Sequence, residues 1–155
     1  YHAMNGTPGS VLHHTQSSVV EAKYFYDGVE RGEIYQCAVI AGHFNVPVIL
    51  VTGDEAACIE AKAMLGDDLP TVAVKKGISR ESAILLSPEE TREMLIEGAK
   101  EAVKKMPALK PYKVKFPIKL RIKRLGPEGA TLENPYFSEK EVEVKNGLDI
   151  ISGSV

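Results

Sequence analysis

The sequence predicts an α/β fold: βαβ units on a mixed sheet, followed by an antiparallel β portion. Three observations predict it. Residues 46–51 form an almost unbroken apolar run between segments of helical period, the pattern of a parallel strand covered on both faces. Helix-start signals recur, at Asp54 and at Ser87-Pro88-Glu89-Glu90. From Tyr112 onward the period changes to two, as in strands with one buried and one wet face. A length of 155 residues with 44% apolar content suits one domain of ordinary size.

Taken in order, residues 1–18 are rich in Gly, Ser, Thr, Pro and His and show no period. They read as a long loop, and such loops commonly carry function. Residues 19–26 are β-branched and aromatic and read as a strand, and Asp27-Gly28 is a hairpin-type turn signal. A helix is expected from Gly32-Glu33 to about His43. Its apolar stripe holds Ile34, Ala38 and Ala41, with Cys37 beside it as a small buried packing residue. The strand 46–51 leads through Thr52-Gly53-Asp54 into a helix over 55–65, with Asp54 as its N-cap and Gly66-Asp67-Asp68 as its end.

A short strand over 71–75 follows, and strand–helix–strand with short links implies a right-handed βαβ unit. The capping box at Ser87 launches a helix to about Met106, with Leu95, Ala99, Ala102, Val103 and Met106 facing inward. Val114, Phe116, Ile118, Leu120 and Ile122 then alternate with Lys113, Lys115, Lys119, Arg121 and Lys123. Pro117 lies on the wet face, lacks an N–H and favours an edge position or a break. Glu139, Glu141 and Glu143 alternate with Val142 and Val144, so an acidic strand beside the basic one would set opposite charges across from each other. Residues 150–155 read as a strand or its exit.

Bulk properties exclude several classes. The net charge, 19 − 21 = −2, gives no push towards nucleic acid or an anionic membrane. No apolar run approaches the ~20 residues that cross a bilayer, and no signal peptide or lipidation motif is visible. Two cysteines, Cys37 and Cys58, are too few for a disulfide framework, so a reduced, cytoplasmic setting is expected. The basic strand lacks exposed aromatics for stacking on bases and reads as a solvated sheet face. Residues 75–80 could attract an anion but have no P-loop pattern.

Candidate chemistry lies in His2, His13 and Glu33, which sit in loops and turns; imidazole and carboxylate are the usual ligands of a catalytic zinc. For His2 the plain alternative is a surface histidine. His13 and His14 are adjacent, so on an extended chain they point in opposite directions and one of them faces a given site. That one could bind metal or act as an acid–base or nucleophilic group. Glu33 is favoured at a helix start by the dipole in any case; the functional alternative is a ligand aimed from a rigid helix end. Gly53-Asp54 lies where open α/β sheets bind ligands, and is equally an ordinary strand-to-helix turn. Three groups are too few for a complete site, so part of the chemistry is expected to lie outside this chain.

The motifs form an ordered series. Tyr1-His2-Ala3, Thr7-Pro8-Gly9 with His13, Gly32-Glu33, Ala41-Gly42, Val46-Pro47-Val48 and Gly53-Asp54 are followed by Ile78-Ser79-Arg80, Ala83 and Leu86-Ser87-Pro88. This succession over residues 1–106 resembles the zinc-dependent D-aminopeptidases of the DppA type. The resemblance implies an α/β metallopeptidase with two zinc ions that removes N-terminal D-residues from short peptides and amides and assembles into homo-oligomeric rings. By that resemblance His2 and Glu33 are metal ligands, His13 is the catalytic histidine and His14 has no such role.

The family's Asp-x-Glu strand and its further histidine ligand do not occur in this sequence, and the family's C-terminal helix does not follow Val155. The chain therefore resembles the second half of such an enzyme, cut at both ends, and the N-terminal half is an expected partner. Residues 1–106 are expected to form the second half of the metallopeptidase region, as loop 1–18, hairpin 19–32 and βαβ part 33–106. Residues 107–155 are expected to form a truncated β-rich portion. Alone, such a chain is expected to bind zinc poorly and to be inactive. The alternative is a non-catalytic α/β binding or oligomer-assembly module.

Overall fold

The structure, a computed structural model, describes residues 1–126 and 136–154. Strands β1 (Ala22–Tyr26) and β2 (Val29–Glu30) form a hairpin, with Asp27 and Gly28 both in the left-handed region that such a turn requires. Helix α1 (Glu33–His43) follows, then β3 (Val51–Asp54), α2 (Glu55–Leu65), β4 (Thr71–Ser79), β5 (Ser82–Leu85) and α3 (Pro88–Lys105). Strands β6 (Ile118–Leu125) and β7 (Tyr136–Val144) precede a 3-10 helix, Gly147–Ser154.

Two sheets result. In the first, β3 and β4 are parallel, joined through α2, and β5 adds antiparallel to β4, so this sheet is mixed. In the second, the order β2-β1-β6-β7 is antiparallel throughout. The mixed α/β architecture is the expected one. The second sheet runs across the expected boundary at residue 107, because β1 pairs with β6 in the register Tyr24 opposite Ile122.

Helix α1 lies between the two cores. Tyr35 and Val39 pack with Tyr24, Tyr26, Ile118, Leu120, Ile122, Val144 and Ile150. Ile34 packs with Val51, Ala57, Ala61 and Leu69. Burying a side chain such as Leu120 contributes roughly 1.5–3 kcal/mol, so α1 is anchored from both sides and its N-terminal Glu33 stands on a rigid support.

The period-two strands behave as their pattern dictates. Ile118, Leu120 and Ile122 are buried, while Lys119, Arg121 and Lys123 pair with Glu141 or Glu139 across the outer face. Pro117 is the break: β6 begins at the next residue, after a cis Phe116–Pro117 bond.

Several elements differ from the sequence expectation. Strand β1 starts at Ala22 because the Ser17 hydroxyl accepts the N–H groups of Val19 and Val20 and curls that segment into a turn. Strand β3 starts only at Val51. Residues 46–50 leave α1 through Asn45, which is left-handed, and Pro47 has no N–H to give a ladder; Val46 is exposed rather than covered. Strand β4 continues to Ser79 and turns back as β5, which the sequence pattern did not indicate.

Of the face expected to point inward on α3, Ala102 is buried, whereas Ala99, Val103 and Met106 are exposed. The helix instead approaches β4 at Gly98, where any side chain would meet Val72. Cys37 is exposed, not a buried packing residue. Residues 150–154 are helical, with Ile150 fully buried, and Val155 lies outside the described residues.

Candidate metal centre

The loop 1–18 is seated on the carboxyl ends of β3 and β4. Gly53 receives the Tyr1 carbonyl, and Gly77 receives the Gly9 carbonyl and the Val11 N–H; a Cβ at either glycine would collide with the loop backbone. Between these points Asp54 is fully buried. Its Oδ1 caps α2 by accepting the Ala57 N–H at 2.8 Å. Its Oδ2 accepts the Ser10 hydroxyl at 2.7 Å and the Val11 N–H at 2.9 Å. The Ser10 oxygen in turn accepts the Ala3 N–H at 3.0 Å, which fixes the residue next to His2. Gly53-Asp54 is thus a seat for the chain's own loop.

His2, His14 and Glu33 come together on this platform, with one ligand atom from each lying within 4.8 Å of the others. His2 Nε2 is 3.7 Å from Glu33 Oε2, and His14 Nε2 is 4.0 Å from Glu33 Oε1. The two imidazoles overlap at 4.0 Å between centroids. In each ring Nδ1 meets a backbone carbonyl, that of Ala3 at 2.9 Å and that of Leu12 at 2.7 Å. A carbonyl only accepts, so each Nδ1 carries a proton, and Nε2 is the ring nitrogen that faces Glu33. The Glu33 Oε1 atom also accepts the Gln16 N–H at 2.8 Å.

His13 is not in this cluster. Its Nδ1 accepts the Gly6 N–H at 3.0 Å, which ties one limb of the loop to the other. One of the two adjacent histidines does face the site, and it is His14. Leu12 and Gln16, on either side of the pair, are both left-handed, so the chain is not extended through this segment. The β4–β5 turn holds this segment: Leu12 donates to the Arg80 carbonyl at 2.6 Å, and the Arg80 guanidinium donates to the carbonyls of His13 and Ser18.

Arg80 and Ser10 support the site and were not singled out for it by the sequence. Arg80 had a signal in the Ile78-Ser79-Arg80 motif. Ser10 acts through a contact to Asp54 that is remote in sequence and that no local pattern reports. Beside the cluster, the Tyr1 hydroxyl donates to Cys37 Sγ at 2.9 Å. Burial, then the Cys37 hydrogen bond, then the Cys37 and Glu33 charges push the Tyr1 phenol above its usual range. Lys76, considered above for anions, pairs with Glu55 at 3.6 Å.

Comparisons with known proteins bear on the family and the fold. Residues 1–137 match the family described as D-aminopeptidase. The D-aminopeptidase of Bacillus subtilis (strain 168) is 35% identical over 112 residues, covering 72% of this chain and 39% of that protein. The solved structure of the Zn-dependent D-aminopeptidase DppA from Bacillus subtilis, a self-compartmentalizing protease, matches with a TM-score of 0.84 at 26% identity. That match covers 99% of this chain and 58% of the other. The chain therefore spans only part of the length of these relatives. Its ordered motifs, its fold and the family match lead to one conclusion: the chain belongs to the D-aminopeptidase family.

Proposed function

We propose that this chain is part of a zinc-dependent aminopeptidase acting on N-terminal D-residues, and that it supplies His2 and Glu33 as metal ligands. The observation that carries this is the convergence of His2, His14 and Glu33, with the Nε2 atom of each ring turned towards the Glu33 carboxylate. The donor set fits zinc: two atoms each about 2.1 Å from a tetrahedral zinc lie about 3.4 Å apart, close to the 3.7 Å between His2 Nε2 and Glu33 Oε2. When bound, the metal supplies Lewis-acid polarisation of the scissile carbonyl.

The chain's own residues do the rest. Ala3 orients His2 through Nδ1, and the end of α1 aims Glu33. His14 takes the catalytic role that the resemblance gave to His13. Its Nδ1–H is held by the Leu12 carbonyl, so Nε2 can take up a proton and return it to the leaving amine. Two ligands rarely make a tight site, so the remaining donors come from the part of the enzyme that this chain does not span, and the isolated chain is inactive.

Family membership further supports a second zinc ion, short D-residue peptides and amides as substrates, and a ring of identical subunits. The exposed Ile96 and Val103, seven residues apart, share one side of α3 and supply an apolar surface for such assembly. No helix among the described residues is long and apolar enough to cross a membrane, and a cytoplasmic enzyme is the setting we propose.

The test is hydrolysis of a D-alanyl amide by the full-length enzyme, with zinc content measured in parallel. His2→Ala and Glu33→Ala are expected to lose zinc and activity together. His14→Ala is expected to keep zinc and lose activity, and His13→Ala to keep both. Activity that survives chelation, or loss of activity in His13→Ala but not in His14→Ala, overturns these assignments. A zinc-replete, folded and inactive enzyme would favour the non-catalytic module instead.

A further inference from the structure

Gln36 is a buried polar residue that the scheme above does not use. It is 1% exposed and lies on α1 one turn after Glu33, so both side chains leave the helix on neighbouring faces. Its Nε2 donates to the Tyr26 hydroxyl at 2.9 Å, and that hydroxyl donates to the Ile150 carbonyl at 3.0 Å. Its Oε1 accepts a short hydrogen bond from Gln16 Nε2. Tyr26 and Ile150 are part of the larger core. A directed chain of donors thus runs from the loop, through Gln36, into the centre of the protein.

At its outer end, Gln16 is fastened to α1 twice. Its side chain bonds Gln36, and its backbone N–H bonds Glu33 Oε1 at 2.8 Å. It also holds a left-handed φ of 66°, a conformation that a glutamine keeps only where its surroundings impose it. The consequence for the carboxylate is specific. The Gln16 N–H claims Oε1, so Oε2 is the oxygen turned to His2. His14, two residues before Gln16, reaches the same carboxylate only if the loop stays down.

We propose that Gln36 is a positioning residue for the metal centre, acting through Gln16 to fix the orientation of Glu33 and the place of His14. This rests on the assignment of His2 and Glu33 as zinc ligands. Partners that orient ligands in this way are typically worth 10–100-fold in metal affinity.

The experiment measures zinc affinity of the full-length enzyme by competition with a chromogenic chelator. The variants are Gln16→Met, Gln36→Met and the double substitution, with His2→Ala and Glu33→Ala as controls. Gln16 is exposed, so its replacement leaves the core intact and decides the matter even where Gln36→Met fails to fold. Each single variant is expected to weaken zinc about 10-fold, and the double variant no more than either one, because both break the same bond. A residue with a merely structural role would lower thermal stability and leave zinc affinity unchanged. Unchanged affinity in Gln16→Met, or additive losses, overturns the proposal while the controls still lose zinc. Controls that keep zinc overturn the ligand assignment itself, and this proposal with it.

Discussion

Asp54 Oδ2 and Ser10 Oγ are 44 residues apart in sequence and 2.7 Å apart in space, with both side chains buried. The Asp54 carboxylate accepts three donors, Ala57 N, Ser10 Oγ and Val11 N, at the start of α2 where the helix dipole favours negative charge. It is the joint between the loop and the sheet. Asp54→Ala strands these three buried donors and is expected to cost about 3 kcal/mol, from the lost cap and the unsatisfied loop groups together. Urea unfolding measures it, and a loss below about 1 kcal/mol would mean the loop is seated by something else.

The two glycines beneath the loop make a sharper test. Neither Gly53 nor Gly77 is left-handed, so alanine is acceptable to the backbone at both. What forbids a Cβ is the Tyr1 carbonyl at one and the Gly9 carbonyl and Val11 N–H at the other. These are backbone groups that cannot rotate aside. Gly53→Ala and Gly77→Ala are each expected to cost about 1–3 kcal/mol and to weaken zinc binding, since lifting the loop moves His2 and His14. Gly6→Ala is the comparison: a Cβ there meets nothing, so only its left-handed backbone is penalised, and zinc affinity is expected to hold.

The outer sheet separates packing from charge at adjacent positions. Leu120 is fully buried, and its neighbour Lys119 pairs with Glu141 at 2.9 Å on the solvated face. Leu120→Ala is expected to destabilise by about 2–5 kcal/mol. Lys119→Ala is expected to cost less than about 1 kcal/mol, because an exposed ion pair is screened and its side chains pay entropy to stay together. Equal losses in denaturant unfolding would contradict this account of the sheet.

That contrast also shows what a local pattern can carry. The period-two segments, the Asp54 and Ser87 caps and the start of α1 were legible, because each depends on residues within a turn or two of itself. Strand β5 and the turn at Arg80 were not, because Ser82–Leu85 is short and becomes a strand only by pairing with β4. The run 46–51 misled because apolar content measures burial preference, whereas strand formation needs a neighbour, and only β3 from Val51 onward has β4 beside it. In the site, residue type and position singled out His2 and Glu33, and the fold brings the two side chains together. Which of His13 and His14 lies beside Glu33 was not legible, since His13 is held away by the Gly6 N–H and its carbonyl by Arg80, 67 residues on.

Glu60 gives a pH signature for the seating of the loop. Its Oε2 accepts the Met4 N–H at 2.8 Å, joining α2 to the loop two residues beyond His2. Burial pushes its carboxyl above the usual range; the Met4 hydrogen bond and Arg31 pull it down again, and Asp54 and Glu33 add to the rise. The folded state therefore binds this proton more tightly than the unfolded state does. The resulting stability is fully present below the ordinary glutamate range and is lost as pH rises through the raised folded pKa. Glu60→Gln keeps an oxygen for the Met4 N–H and removes the ionisation. The melting temperature of Glu60→Gln relative to the unmodified protein is expected to rise as pH increases above the ordinary glutamate range of about 4 and to level off once the raised folded pKa is passed. Thermal unfolding at several pH values checks it: a difference that is flat, or that shrinks towards neutrality, would show that Glu60 is not strained by its burial.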